Sequence, residues 1–267
     1  MRIIDRGSGA PVVLVPGVQG RWEWMRPAVD ALAARCRVIT FSLADEPTSG
    51  ARYDPEEGFA GYLRQIDEVF DELGLERATI CGISYGGLVA AVFAARRPDR
   101  VSALVLMSAI PPSWRPDWRA RFFMRAPRLL SPLFCVNSLR LLPEMIAARG
   151  VAGGLVFAVV HSGRVLASLF SPRLMARRVR WIEGLDLEPE LASVRAPVLV
   201  MTGDRGLERV VPVERTHEYL RLWPHAERAV VPRTGHLGPL TRPDAFAALV
   251  ATFAGTAGAG AERTRVV

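Results

Sequence analysis

Ser84 stands at the centre of Gly82-Ile83-Ser84-Tyr85-Gly86, a pattern able to present a nucleophile. A serine on a sharp strand-to-helix turn has strained backbone angles, and only small residues two positions to either side avoid collision. The strain lifts Oγ clear of the surface. The helix that follows aims its N-terminal amides at charge that develops during attack. Five such residues also recur by chance. Here a β-branched run precedes the serine, a helical stretch follows it, and Gly87 leaves room for close helix packing. A seryl hydroxyl is a weak nucleophile at neutral pH and needs an adjacent base. The chain offers four histidines, His161, His217, His225 and His236.

The surrounding pattern supplies elements to position these groups. Short apolar runs at Val12–Val15, Arg37–Leu43, Arg77–Ile83 and Val101–Met107 read as buried strands. Helical stretches alternate with them: Trp22–Ala34, Pro55–Leu73 and Gly86–Arg97, the last ended by Pro98. The rhythm breaks over residues 111–193, which look helical throughout and are punctuated by prolines. It resumes with a strand at Pro197–Thr202, a helix at Val213–Leu222, a strand at Glu227–Pro232 and a helix at Pro243–Phe253. The fold class is therefore α/β, a mostly parallel central sheet with helices on both faces and an inserted helical lid. Residues 1–110 and 194–254 form the core and 111–193 the lid, because ligand sites lie outside the carboxyl ends of such strands. Residues 255–267, Gly/Ala-rich and then charged, read as a disordered tail.

Ser84 on its turn, with the strand order around it, resembles the α/β-hydrolase fold family, serine esterase- or lipase-like, over roughly residues 10–110 and 194–254. The resemblance implies a Ser-His-acid triad. His236, in Arg233-Thr234-Gly235-His236 after the last strand, occupies the loop of the family's catalytic histidine. The acid is expected in the loop from Thr202 to Pro212, where Glu208 and Asp204 compete. Glu208 is preferred for its spacing from the Val211-Pro212 pair and its longer reach, with Asp204 the runner-up. The oxyanion donors are expected to be the backbone amides of Tyr85 and Val18. Val18 lies in Pro16-Gly17-Val18-Gln19-Gly20, which is similar to the family's His-Gly-x-x-Gly loop with Pro16 in place of the histidine. That departure removes a side chain that orders the loop. Trp22, Trp24, Trp114 and Trp118 could line the pocket, and Asp45-Glu46 could face the cleft without a catalytic role. A serine at this turn implies acyl transfer to water on a small or medium apolar carboxylic ester. The same triad can serve C–C bond hydrolysis, acyl transfer or perhydrolysis, and some proteins of this fold are receptors without turnover.

Composition sets further bounds. The cysteines Cys36, Cys81 and Cys135 lack redox or metal-ligand spacing, and the acyl-transfer chemistry implied by the resemblance needs no metal and no organic cofactor. The start of the chain shows no signal peptide and no 18-residue apolar run, so the expectation is a cytoplasmic protein without a spanning helix. The formal charge is +7, carried entirely by arginine among the basic residues. Residues 111–193 hold 12 Arg against 6 acids, so nearly all the surplus falls in the lid. No nucleic-acid module accompanies it, so a small-molecule substrate is the expected partner. The basic lid is a candidate for weak contact with an anionic surface. The oligomeric state is not legible.

Overall fold

The computed structural model describes residues 1–167 and 171–264. Seven strands form one sheet in the order β1-β3-β2-β4-β5-β6-β7. They are β1 (Ile3–Arg6), β2 (Pro11–Val15), β3 (Arg37–Phe41), β4 (Ala78–Ile83), β5 (Val101–Met107), β6 (Val198–Thr202) and β7 (Glu227–Val230). All neighbours pair in parallel except β1, which runs antiparallel to β3 as an edge strand. The sequence pattern did not mark β1: it is four residues long, and only its first two are even half-buried.

Strand side chains alternate between two cores. Val13, Val15, Ile80, Leu104 and Leu106 enter one core, with Tyr62, Phe70 and Phe93. Val12, Leu14, Cys81, Val105 and Met107 enter the other, with Leu32, Phe246 and Val250. The helices covering the first face are α2 (Ala60–Glu72) and α3 (Tyr85–Arg96), and α1 (Arg26–Ala33) lies on the second. Ten of the twelve residues of α3 are buried, so this helix is apolar all round, as a central core helix must be.

The inserted segment carries α4 (Trp118–Arg125), α5 (Ser131–Asn137), α6 (Leu142–Ala167), α7 (Pro172–Ile182) and α8 (Glu188–Leu191). Gly150, at φ 72° and ψ 172°, breaks α6 into two helical pieces. Beyond β6, α9 (Val213–Thr216) and α10 (Glu218–Leu222) replace the single expected helix, meeting at His217. They are followed by α11 (Gly238–Thr241) and α12 (Pro243–Thr264). The last helix extends to Thr264, into the Gly/Ala-rich stretch that the sequence marks as a tail. Residues 265–267 of that tail lie outside the described residues.

Candidate active site

Ser84 sits between β4 and α3 at φ 55° and ψ −117°, a conformation rarely adopted by a residue with a side chain. Three neighbours hold it there. Its amide donates to the Met107 carbonyl (2.9 Å), and its own carbonyl accepts from the Gly87 amide (3.0 Å) and the Ile110 amide (3.3 Å). The flanking glycines are sterically required. A Cβ on Gly82 would stand 2.3 Å from the Gly86 carbonyl oxygen, and one on Gly86 would stand 2.4 Å from the Val15 and Pro16 carbonyl oxygens. The second contact also shows that the Ser84 turn is pressed against the loop after β2. The Tyr85 amide opens α3 and therefore has no acceptor within the helix.

His236 lies after β7, on a loop threaded against the one after β6. Gly235 permits the crossing: a Cβ there would meet the Leu207 carbonyl oxygen at 2.4 Å. The His236 Nδ1 is 3.3 Å from Glu208 Oε1. The approach is oblique, of the kind that tightens when substrate fills a site. Glu208 is itself fixed. Oε1 accepts from the amides of Val210 (2.8 Å) and Val211 (3.1 Å), and Oε2 from Ser108 Oγ (3.0 Å). Burial disfavours the Glu208 carboxylate, but the adjacent His236 charge and these hydrogen bonds outweigh it and hold its pKa below the ordinary value. Burial likewise opposes charging His236, yet Glu208, with Glu144 behind it, raises the imidazole pKa.

Asp204 is occupied differently. Its Oδ2 accepts from the Arg233 amide (2.7 Å), and its carbonyl accepts from the amides of Leu207 and Glu208. It ties the acid loop to the histidine loop and shapes the turn that carries Glu208. The Glu208 carboxylate is therefore the one brought to His236.

Three residues that the sequence reading passed over enter the site. Ser108 follows β5 at φ 43°, and its hydroxyl reaches Glu208 from beside the Ser84 turn. Glu144, on α6, is 1% exposed, and its Oε1 accepts from the Leu237 amide (2.7 Å), next to His236. Burial pushes its pKa up to about 7, against an ordinary 4.5, even though backbone amides and the His236 charge pull the other way. Its standing as the sole acid among residues 118–180 is the signal that could have found it.

The third is Arg178 on α7, whose side chain is fully buried. Its guanidinium donates to Asp45 Oδ1 (2.6 and 3.1 Å), Glu46 Oε1 (2.6 Å), the Tyr62 hydroxyl (3.3 Å) and the Val18 carbonyl (2.8 Å). It fills the space over Gly20, where a Cβ would fall 2.4 Å from the guanidinium. The loop that lacks the ordering histidine is thus pinned by an arginine from α7. Only the Asp45-Glu46 pair, placed at the cleft, hinted at this cluster.

The tryptophans divide. Trp22 and Trp114 are half-buried against the two cores. Trp24 is 9% exposed and meets the His161 ring edge-on at 6.3 Å. Trp118 is 73% exposed and does not line the site. Asp117 caps α4 by accepting from the Ala120 amide (2.8 Å), which leaves Trp118 in the first helical position on the open side. His161 stacks on Phe157, and burial lowers its pKa to about 4.

A seven-stranded sheet bearing a strained serine, a histidine loop and a buried glutamate at the ends of β4 to β7 defines an α/β hydrolase. The model of the alpha/beta hydrolase fold matches residues 10–243, and the chain belongs to that family. Among curated relatives, the 2-hydroxy-6-oxononadienedioate/2-hydroxy-6-oxononatrienedioate hydrolase of Cupriavidus pinatubonensis is 30% identical, covering 94% of this chain and 89% of its own. The pimeloyl-[acyl-carrier protein] methyl ester esterase of Aliivibrio salmonicida is 25% identical, covering 90% of each chain. The enol-lactonase from Burkholderia xenovorans LB400 superposes with a TM-score of 0.74 at 21% identity, over 94% of this chain and 95% of its own.

Proposed function

We propose that this hydrolase cleaves small or medium apolar carboxylic esters through an acyl-enzyme on Ser84. The observation that carries the reading is the 3.3 Å approach of His236 Nδ1 to a Glu208 carboxylate held by three further donors. With Nδ1 turned to the acid, Nε2 is the nitrogen left to serve Ser84. His236 accepts the Ser84 proton as Oγ bonds to the carbonyl carbon. The oxyanion is held by the Tyr85 and Val18 amides, each worth about 3 kcal/mol in such sites. The intermediate collapses, the C–O bond breaks, and His236 returns the proton to the departing alcohol. Water then attacks the acyl-enzyme by the same route, releasing the carboxylic acid and restoring Ser84. Arg178 positions the second donor by holding the Val18 carbonyl.

The lid, residues 111–193, covers this site, with α6 reaching His236 through Glu144 and α7 reaching the loop after β2 through Arg178. Ser84 is 7% exposed, which is in keeping with a lid that shifts to admit substrate.

Hydrolysis of a C–C bond in a vinylogous diketone is the second reading, favoured by the 30% identity to an enzyme named for that substrate class. Steady-state rates on p-nitrophenyl acetate to octanoate, set against a vinylogous 1,5-diketone, separate the two. Ester hydrolysis predicts kcat/KM at least about tenfold higher on one of the esters, a difference of about 1.4 kcal/mol in the barrier. The reverse order assigns the C–C reaction.

A further inference from the structure

The Arg-rich lid has an outer surface that the chemistry at Ser84 does not use. Between residues 118 and 180 lie 11 of the chain's 34 basic residues and 1 of its 27 acids, leaving 23 and 26 elsewhere. The single acid is Glu144, buried against the histidine loop, so it neutralises nothing on the outside. Arg119, Arg125, Arg128 and Arg173 are all exposed. A cleft of about 580 Å³ beside α7 is lined by Arg128, Arg173, Arg177 and Arg180, with no acidic side chain.

The same segment is unusually apolar on its open side. Val151, Leu155, Val156, Val159 and Val160 recur at spacings of four and five along the second half of α6, so they share one helix face. They are 48–73% exposed. Trp118, Leu129 and Leu139 add exposures of 73%, 79% and 66%. Soluble monomers seldom leave one helix face this apolar in water. The opposite face of α6 is packed: Phe157 is 7% exposed and stacks on His161, which meets Trp24. The stretch Ser131–Val165 is long and apolar enough to cross a bilayer, which the sequence reading did not expect. Gly150, at a non-helical φ, breaks this stretch within α6.

We propose that the outer face of this lid docks onto an anionic lipid bilayer. Valine and leucine side chains enter the interface while the arginines, whose stems can lie along apolar surface, meet phosphate headgroups. Charge selects this occupant. A second copy would bring like charges together with no exposed acid between residues 118 and 180 to pair them, whereas an anionic leaflet supplies both apolar depth and negative charge. The inference rests on the surface alone and stands or falls independently of the ester chemistry.

The test is flotation of the full chain with vesicles of phosphatidylcholine containing phosphatidylglycerol, against vesicles of phosphatidylcholine alone. Binding is expected to the anionic vesicles in 0.05 M NaCl, weakened at least about tenfold in 0.5 M NaCl and on neutral vesicles. The pairs Leu155→Glu/Val159→Glu and Arg119→Glu/Arg125→Glu should each weaken it about tenfold or more. Each variant should keep the wild-type far-UV circular dichroism and melting temperature, which verifies folding. Should the glutamates on α6 unfold the chain, Val156→Ser/Val160→Ser supplies the milder variant. Failure to float with anionic vesicles at low salt overturns the proposal, as does binding insensitive to every pair. A dimer in sedimentation velocity that Leu155→Glu/Val159→Glu dissolves also overturns it, by assigning the face to a second copy. Salt-sensitive capture of an acidic protein with no lipid binding reassigns it to a protein partner.

Discussion

Arg178→Met is the perturbation from which the structure lets most be calculated. The guanidinium is fully buried and meets two carboxylates, Asp45 and Glu46, whose side chains are 0% and 2% exposed. Methionine fills similar volume but leaves both acids without their central partner. Asp45 keeps Arg177 at 3.2 Å; Glu46 keeps no ion pair of comparable burial. Removing one partner of a buried pair costs about 3–5 kcal/mol, because the stranded charge cannot reach water. That is a large share of a typical stability of about 5–15 kcal/mol. For a chain of this size it lowers Tm by roughly 10 °C. The variant also releases the Val18 carbonyl, held at 2.8 Å in the parent, and with it the neighbouring amide proposed as an oxyanion donor. A misplacement of about 1 Å costs on the order of 100-fold in kcat. Urea unfolding and steady-state kinetics at 15 °C read the two effects, and Arg178→Met/Asp45→Asn/Glu46→Gln separates them. Neutralising both acids should restore most of the stability while kcat stays low, since the Val18 carbonyl remains unanchored. A stability loss under about 1 kcal/mol in Arg178→Met, or full recovery of kcat in the triple variant, would refute the reasoning.

Other expectations follow from single groups. Glu144 binds a proton more tightly folded, at a pKa of about 7, than its ordinary 4.5, so its contribution to stability is full below pH 4.5 and lost as pH rises through 7. At about 1.4 kcal/mol per unit the loss is about 3 kcal/mol by pH 8. Glu144→Gln should therefore flatten the fall in urea-unfolding free energy between pH 5 and 8, and an unchanged slope would exclude this carboxyl as its source. His236 acts as a base only when neutral, and its pKa is raised by Glu208 once burial has been offset. The acid limb of kcat/KM should accordingly have its midpoint above 6.5 and move down in Glu208→Gln; a limb unmoved by that change would detach the histidine from the acid. Ser108→Ala removes one of the donors on Glu208 and should cost about 1–3 kcal/mol in urea unfolding, with a smaller loss in kcat than Glu208→Gln.

The legible part of this molecule was the part set by local rules. Parallel strands buried on both faces show as apolar runs, and the turn around Ser84 shows as glycines where no Cβ fits. The loops from which His236 and Glu208 were read are the ones whose side chains approach to 3.3 Å. What stayed hidden depends on distant segments meeting. Arg178 lies 160 residues from Val18, and nothing in either neighbourhood announces the hydrogen bond between them. Glu144 and Ser108 likewise acquire meaning only when α6 and the end of β5 close around the histidine and acid loops. Trp118 was misplaced because an aromatic's spacing does not reveal which way a capped helix turns it. The edge strand β1 escaped because half of it is exposed and carries no apolar run.

Intact-mass and peptide mapping after treatment with a fluorophosphonate tests the triad most directly. The expected result is one phosphonyl adduct on Ser84, absent in His236→Ala, slowed on the order of 10⁴-fold in Glu208→Gln, and formed at close to the parent rate in Asp204→Asn. An adduct on another residue, undiminished labelling in His236→Ala, or a loss in Asp204→Asn exceeding that in Glu208→Gln would contradict the assignment of these three side chains.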